Sequence, residues 1–291
     1  VELRFTRLFV YDLQARTFSY VGKKHMGIEG DDLLYVDPDG QYVLLNVEET
    51  IFSYPAVWRF PLDGSAQKGA KMIQQPNAVF YWVTDSAGVV RMGFQFLSGG
   101  SYKVLYRSGE KDGLRTVASY NRQQWNDVPY SRFWIVPGSD QGYALHDDGK
   151  GHLALRRFNF STFTVGEIVH GQPGYDLSGA TFDRTQTPRA IHYVDDRDQT
   201  IWLEPQMKSL QTSLGKALKD GNVRIRSRAD DNSRLLVWAG REDDPGVWYL
   251  YHAKDRRLDL FYVDKPGLLP DQLATPRAVS YTARDGVRIT A

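Results

Sequence analysis

Short runs of alternating apolar and polar residues recur along this chain, with turn sequences between them. The first complete set consists of Leu33–Asp37, Gln41–Glu48, Val57–Leu62 and Lys71–Gln75. Alternation with a period of two residues, bounded by Asp, Pro, Asn and Gly, predicts β-strands joined by tight turns. These residues therefore predict a unit of four antiparallel strands within about 43 residues.

The same four-strand pattern returns along the chain, which indicates a repeat architecture. The first strands of successive copies begin at Leu33, Val79, Phe133, Gly179 and Val223, so the copies are 46, 54, 46 and 44 residues apart. A period of about 40–50 residues with four strands per unit is typical of the blades of a β-propeller. We therefore predict an all-β fold, a β-propeller of four-stranded antiparallel blades. A β-sandwich is the alternative, but about twenty predicted strands are too many for it.

The segment Pro205–Gly221 departs from the strand pattern. Its apolar residues recur at spacings of 3, 4 and 4, which places them on one face of an α-helix. These residues are Met207, Leu210, Leu214 and Leu218. Pro205 stands near the start and Gly221 past the end, as helix termini favour. We predict one short helix near 205–220, which replaces the outer strand of a blade or lies over one rim of the propeller.

The two ends of the chain predict domain boundaries. Leu3–Val21 predicts the outer half of a further blade, and because the chain begins within a strand we expect upstream sequence. Asp264–Pro276 holds three prolines and is interpreted as an exit linker. Two short strands around the turn Ala283–Gly286 then predict the start of a new domain. The predicted organisation is an N-terminally incomplete propeller over residues 1–265, followed by the linker and first strands of a second domain over residues 266–291.

Composition narrows the class of partner. The formal charge is +1 over 291 residues, so the total charge does not indicate a nucleic-acid or anionic-membrane partner. No Cys occurs, which excludes disulfides, thiolate catalysis and Cys-based zinc sites. No apolar run approaches the roughly 18 residues of a membrane-spanning helix, so no membrane span is predicted. These features leave both the cytoplasm and the periplasm open as the compartment.

The sequence contains no complete catalytic motif. No G-x-S-x-G nucleophile elbow is present. The six His residues form no H-E-x-x-H or H-x-H pair, so we predict neither a metal site nor a cofactor. Acidic residues recur at turns, among them Asp37, Asp85 and Asp195. Paired carboxylates in a central channel would suit a propeller lyase or glycosidase, but their recurrence at the same place in each blade favours hydrogen bonds to the turn backbone.

Glu48 and Glu49 are the candidate binding residues. They lie where a predicted second strand runs out into the loop Thr50–Pro55. Two adjacent carboxylates could hold a cationic group, such as a peptide N-terminus, through charge-assisted hydrogen bonds. The alternative is a solvated loop start.

Three arginines form a second charged group. Arg224, Arg226 and Arg228 alternate along one predicted strand and share a face. They could line a polar channel, or they could pair with acids on a neighbouring blade. The sequence does not separate these two roles.

Four segments, taken in order, resemble one enzyme family. Leu273–Ile289 resembles the junction where the propeller of prolyl oligopeptidase family serine peptidases gives way to the α/β-hydrolase domain. Tyr81–Arg91 is similar to the family's Trp–Asp–Gly–Arg blade pattern, and Asp244–Tyr251 to its late-blade D-P-G-x-Y-Y-L strand. Ile201–Leu218 is similar to its short helix after the fifth-blade hairpin. Within the family, the acylaminoacyl-peptidase or dipeptidyl aminopeptidase-like branch is the one the chain resembles.

The resemblance implies a function and partners. The family's catalytic Ser, Asp and His lie in the hydrolase domain, which would follow Ala291, so no catalytic residue is carried over to this chain. The family's propeller, usually seven-bladed, covers the active site as a size filter that admits short peptides. In dipeptidyl peptidase relatives, propeller Glu residues bind the substrate amine. The resemblance therefore implies the same role for Glu48 and Glu49. The implied partners are the α/β-hydrolase domain of the same protein and short peptide substrates.

Two other classes of function stay open at this point. One is a free-standing propeller that binds a protein partner across one rim, since the sequence shows no catalytic constellation. The other is a propeller enzyme with carboxylates or a metal in its channel, which would rest on the acidic turn residues alone.

Overall fold

The computed structural model describes residues 6–22, 25, 32–50, 52–63, 69–73, 78–127, 132–219, 222–241, 243–268, 270–274, 277 and 279–290. Gly221, predicted to follow the helix, and Pro276, predicted to end the linker, lie outside the described residues. So does the beginning of the predicted strand pair Leu3–Val21. The chain divides into two compact units, Val1–Leu177 with Phe182–Thr187, and Ser178–Thr181 with Pro188–Ala291.

The first unit consists of antiparallel sheets whose strands follow one another in chain order. A two-stranded hairpin comes first, formed by β1 (Phe9–Asp12) and β2 (Thr17–Tyr20). Three four-stranded sheets follow. They are β3 (Asp32–Val36), β4 (Tyr42–Val47), β5 (Ala56–Pro61) and β6 (Ala70–Ile73); β7 (Val79–Thr84), β8 (Val90–Leu97), β9 (Ser101–Tyr106) and β10 (Arg115–Tyr120); and β11 (Phe133–Ile135), β12 (Gln141–Asp147), β13 (Leu153–Asn159) and β14 (Thr164–His170).

The second unit contains a three-stranded sheet, a helix, a four-stranded sheet and a terminal hairpin. The middle of β15 (Leu177–Phe182) belongs to this unit. The other elements are β16 (Pro188–Val194), β17 (Asp198–Trp202), α1 (Pro205–Ala217), β18 (Val223–Arg228), β19 (Arg234–Arg241), β20 (Asp244–His252), β21 (Arg257–Val263), β22 (Ser280–Thr282) and β23 (Arg288–Thr290).

The observed repeat confirms the prediction of an all-β fold with four-stranded antiparallel sheets. The first strands of the five larger sheets begin at Asp32, Val79, Phe133, Leu177 and Val223, each within two residues of the predicted start. The strand starts could be predicted because the alternation of apolar and polar residues and the turn residues depend only on neighbours in sequence. A short 3₁₀ helix at Arg122–Asp127 was not predicted.

The predicted helix is present and follows the one sheet of this group that has three strands. α1 begins at Pro205 as predicted but ends at Ala217, three residues before the predicted end. Lys219 has a φ of 52°, a left-handed conformation that cannot continue an α-helix. Met207 and Leu214 are buried, so the predicted apolar face is the one that packs. The helix therefore stands in the chain where the other sheets have their fourth strand.

Aromatic rings form the core of the first unit. The ring centroids of Phe94 on β8 and Phe133 on β11 are 6.1 Å apart, and those of Phe133 and Phe158 on β13 are 5.6 Å apart. Phe94 and Phe158 are each 1% exposed. These contacts join the sheet β7–β10 to the sheet β11–β14 face to face, at distances typical of favourable ring pairs.

Acidic side chains close the turns between strands. The Asp85 carboxylate accepts hydrogen bonds from the backbone N–H groups of Ala87 and Val89, both at 3.0 Å. Gly88 in this turn has a φ of +79°, which favours glycine. Asp37 and Asp183 accept equivalent backbone hydrogen bonds in the turns that follow β3 and β15. The interpretation of Asp37 and Asp85 as turn residues is confirmed by these bonds, and Asp183 has the same role although the sequence did not single it out.

The packing of Phe158 predicts a large loss of stability on truncation. We expect Phe158→Ala to lower the free energy of unfolding by about 3–5 kcal/mol, because it removes buried apolar surface and leaves a cavity. Phe52 is 90% exposed and serves as the matched control; Phe52→Ala should change stability by no more than about 0.5 kcal/mol. Urea denaturation midpoints measure both. Equal effects of the two variants would contradict the packing described.

Candidate functional site

The two candidate carboxylates lie at the end of β4. Glu48 is half-buried and Glu49 is exposed, directly after the buried strand ends at Val47. The side chain of Glu49 forms an ion pair with Lys71 on β6. Lys71 is therefore the nearest established partner of this carboxylate, a residue that the sequence did not single out.

Lys71 is held in place by an aromatic ring. Its Nζ lies 5.2 Å from the ring centroid of Trp58, which is opposite it on β5. The imidazole of His25 covers the same indole at 4.4 Å between centroids. The side chains of Lys71 and Glu49 are 25% and 40% exposed. An exposed pair of this kind contributes only about 0–1 kcal/mol, so a competing cation could displace the lysine.

The loop after Glu49 presents two aromatic rings to solvent. Phe52 and Tyr54 are 90% and 52% exposed. The loop backbone is tied locally, since the Thr50 N–H donates to Ser53 Oγ at 2.9 Å and the Ser53 hydroxyl donates to the Thr50 carbonyl at 2.9 Å. Pro55, at the end of the loop, accepts a hydrogen bond of 3.0 Å from the indole N–H of Trp82. The acidic pair thus stands beside an anchored loop that exposes apolar surface.

Of the three arginines on β18, two pair with acidic residues and one is exposed. Arg224 forms an ion pair with Asp198 of β17, and Arg228 Nη1 donates to Glu204 Oε2 at 2.7 Å. Arg226 is exposed and pairs with no described acid. For Arg224 and Arg228, pairing with acids of the neighbouring sheet region is therefore the role that the structure supports.

Glu204 joins two sheets of the second unit. Its Oε1 lies 3.3 Å from Arg189 Nη1 on β16, while its Oε2 accepts from Arg228 on β18. Its side chain is 22% exposed. Glu204 immediately precedes α1, so this pair of contacts fixes the start of the helix against both strands. The sequence offered no signal for this role, because the three residues are distant along the chain.

A buried arginine organises the boundary between two sheets of the first unit. Arg91 on β8 is 1% exposed. Its Nη1 donates to Asp85 Oδ2 at 2.9 Å, and its Nη2 donates to the Tyr106 hydroxyl at 2.6 Å and to the Ser139 carbonyl at 2.8 Å. Its Nε donates to the Arg107 carbonyl at 2.9 Å. Removing one partner of such a buried pair typically costs about 3–5 kcal/mol, so we expect this network to contribute strongly to stability.

The network shifts the ionisation of two groups. Burial, followed by the hydrogen bond with Asp140, raises the pKa of the Tyr106 hydroxyl well above its usual value. Burial also acts to raise the pKa of the Asp140 carboxyl. Hydrogen bonds from Ser108 and Tyr106, together with the charge of Arg91, outweigh burial and hold the pKa of Asp140 below its usual range.

In the described part of the chain, no three His, Asp or Glu side chains come close enough together to hold a metal ion. No described helix is both long and apolar enough to cross a membrane.

Comparisons with known proteins show structural similarity without sequence similarity. No protein-family model and no curated protein matches this chain. A puromycin-hydrolysing peptidase of Mycobacterium tuberculosis matches 98% of it with a TM-score of 0.56 and 14% identity. A prolyl endopeptidase matches 97% of it with a TM-score of 0.53 and 14% identity. The fold is a β-propeller.

The share of each relative that is matched differs between classes of protein. This chain spans 45% of the puromycin-hydrolysing peptidase and 42% of the prolyl endopeptidase, less than half of either. It spans 81% of an oligogalacturonate lyase in complex with manganese, which matches 98% of this chain with a TM-score of 0.50 and 11% identity. The predicted relation to the propeller of prolyl oligopeptidase-type proteins is thus supported at the level of fold, since identities this low establish nothing finer.

The lowered pKa of Asp140 predicts acid sensitivity. The pKa is lower in the folded protein than in the unfolded chain, so the unfolded chain binds the proton first. The stabilisation from Asp140 is therefore present above about pH 4 and is lost as the pH falls through the depressed value. We expect Asp140→Asn to shrink the difference in unfolding free energy between pH 7 and pH 3.

Asp39→Asn is the matched control for this measurement. Asp39 is exposed, and its carboxylate accepts no hydrogen bond from any described residue. Urea denaturation at the two pH values should give wild-type behaviour for Asp39→Asn. An unchanged pH difference in Asp140→Asn would show that this carboxylate is not stabilised by the network.

Proposed function

We propose that this chain is the non-catalytic propeller of a serine peptidase that hydrolyses oligopeptides. In this proposal the propeller gates access of short peptides to an α/β-hydrolase domain that follows Ala291. Residues 1–265 form the propeller part, and residues 266–291 form the linker and the first strands of the hydrolase domain. The resemblance to the acylaminoacyl-peptidase or dipeptidyl aminopeptidase-like branch belongs to the same proposal.

The similarity to peptidases carries this proposal. Two peptidases share the fold over nearly the whole of this chain, while the chain spans less than half of each. A propeller that is one part of a larger enzyme accounts both for the nearly complete match of this chain and for the partial match of each peptidase. The segment Tyr81–Arg91, which resembles the blade pattern of the family, supports the same relation, since Asp85 and Arg91 form a buried ion pair there.

The terminal hairpin supports the proposed second domain. β22 and β23 pair with each other around a turn in which Asp285 accepts a hydrogen bond from the Val287 N–H at 3.1 Å. The apolar side chains of Tyr281 and Val287 are 56% and 57% exposed. A two-stranded hairpin is marginally stable alone, so these side chains are suited to packing against further chain.

Activity measurements on two lengths of chain test this proposal. The chain of 291 residues should hydrolyse neither dipeptidyl nor acyl-aminoacyl chromogenic substrates. The product of the full open reading frame should hydrolyse one of these classes and lose that activity to a serine-directed inhibitor. The proposal is overturned if the shorter chain alone is active and resists the inhibitor. A stop codon shortly after Ala291 would favour a free-standing binding module instead.

We further propose that Glu48 and Glu49 bind the amino terminus of the peptide. The ion pair of Glu49 with Lys71 supports this, because it demonstrates that this carboxylate accommodates an ammonium group. The exposed rings of Phe52 and Tyr54 would provide apolar contact for the first side chains of the peptide. Binding requires the peptide ammonium to replace Lys71, and the small free energy of an exposed pair permits this.

Opposite effects of two substitutions test the amine site in the full-length enzyme. Glu49→Gln should raise KM several-fold for substrates with a free amino terminus, because it removes the charge that holds the amine. Lys71→Met should lower KM for the same substrates, because it removes the competing cation. Substrates with an acylated amino terminus should be unaffected by either change.

Glu167→Gln provides the control for these kinetics. Glu167 lies on β14 and its side chain is 80% exposed. Its substitution should leave KM unchanged for both substrate types. If Glu49→Gln changes KM equally for free and acylated substrates, the carboxylate does not bind the amine, and the wider peptidase proposal is unaffected.

A further inference from the structure

The sheet β15–β16–β17 has an open edge. β17 is the last strand of this sheet, whereas the four-stranded sheets place a further strand at this position. The Leu203 N–H donates to the Arg189 carbonyl at 2.8 Å, and the Asp195 N–H donates to the Arg197 carbonyl at 3.2 Å. Since hydrogen-bonded pairs in an antiparallel ladder recur every second residue, Gln199 also faces β16.

The intervening residues of β17 therefore face away from β16. These are Asp198, Thr200 and Trp202, whose backbone N–H and C=O groups are directed to the open side. No described residue forms a backbone hydrogen bond with Asp198 or Thr200 on that side. An open edge of this kind is a template for an added strand.

A pocket of about 290 Å³ lies between this edge and the second half of α1. Asp198 and Thr200 line it from β17, Gln211 and Gly215 line it from α1, and Arg224 lines it from β18. All of these residues belong to the second unit. The volume is at the lower limit of the range for ligand pockets, about 300–1,000 Å³, which suits the end of a peptide and not a folded partner.

Gly215 leaves room in the wall of the pocket. Glycine inside a helix costs roughly 0.5–1 kcal/mol relative to alanine. A Cβ added to Gly215 would meet no atom within 4 Å, so packing does not demand glycine here. Because Gly215 lines the pocket, a larger side chain at this position would take up space in it.

Arg224 supplies a fixed positive charge. Its Nε donates to Asn222 Oδ1 at 3.0 Å, its Nη1 pairs with Asp198, and its guanidinium lies 5.0 Å from the ring centroid of Trp238. Its Nη2 donates to no described residue, so one face of the guanidinium fork is available to a ligand. Arg197 adds a second positive charge to the lining, although it also lies 3.6 Å from Asp196.

We infer that this pocket binds the C-terminal end of a short extended peptide. The open edge of β17 offers backbone hydrogen bonds to an extended chain, and Arg224 offers a charge-assisted hydrogen bond to a terminal carboxylate. Arg197 and Arg224 each also contact an acid, Asp196 and Asp198 respectively, so the charge offered to an anionic end is the Nη2 side of the Arg224 guanidinium. This inference concerns binding alone, so it goes beyond the proposed peptidase function and does not depend on a hydrolase domain.

Binding of small peptide probes to this chain tests the inference. The probe is N-acetyl-dialanine with a free carboxylate, compared with its C-terminal amide and with acetate alone. Calorimetry should show the acid binding at least about tenfold more tightly than the amide, with weaker binding at high salt. In spectra of the ¹⁵N-labelled chain, the acid should shift the backbone amide signals of Thr200 and Gly215.

Substitutions at two helix positions locate the binding. Gly215→Leu should abolish it by filling the pocket, and the added Cβ itself meets no atom within 4 Å. Ser209→Leu changes an exposed residue of α1 outside the pocket lining and should leave it intact. Arg224→Gln should reduce the affinity for the acid to that for the amide.

Each contrary result overturns the inference. Equal binding of acid and amide would exclude recognition of the carboxylate. Acetate binding as tightly as the peptide would identify a simple anion site. Absence of binding by every probe, or binding that survives Gly215→Leu, would show that the pocket does not hold a peptide end.

Discussion

A four-stranded antiparallel sheet has two faces, and in this chain the burial of those faces depends on contact between neighbouring sheets. In the first unit, Phe94, Phe133 and Phe158 form a continuous set of ring contacts between two sheets. Arg91 completes this boundary by linking its own sheet to the Ser139 carbonyl in a turn of the next. Full burial of the Arg91 guanidinium is tolerated because nearly every one of its N–H donors has an acceptor. Burial and hydrogen bonds within the same network also raise the pKa of Tyr106 and lower the pKa of Asp140.

The sheet β15–β16–β17, which lacks a fourth strand among the described residues, buries its apolar face in a different way. α1 covers the apolar surface of the second unit with Met207 and Leu214, so the faces of the sheets remain buried. A helix covers a face but cannot pair with the backbone at a strand edge. The edge of β17 is left open for this reason, and the polar pocket lies beside it. The exception to the repeat thus creates the feature with the clearest capacity to bind a ligand.

The sequence predicted the elements that depend on near neighbours. The strand starts, the turn acids and the apolar face of α1 each follow from patterns within a few residues. The partners of the charged residues depend on contacts across strands and sheets, so they were not predictable in the same way. Lys71 reaches Glu49 from β6, a strand that pairs with β5 and is more than twenty residues further along the chain. The sequence could not decide whether Arg224 and Arg228 line a channel or pair with acids. Their partners, Asp198 and Glu204, come close to them only in the folded second unit.

The edge of β17 carries the binding inference, because β17 is the third strand of its sheet and no described strand pairs with its outer side. Amide hydrogen exchange of the unliganded chain, read residue by residue by NMR, tests it directly. We expect slow exchange at Gln199 and Ile201, fast exchange at Asp198 and Thr200, and slow exchange throughout β19, which is paired on both sides. Uniform protection along β17 would contradict an open edge, because it would require a hydrogen-bond partner on the side of β17 that faces away from β16.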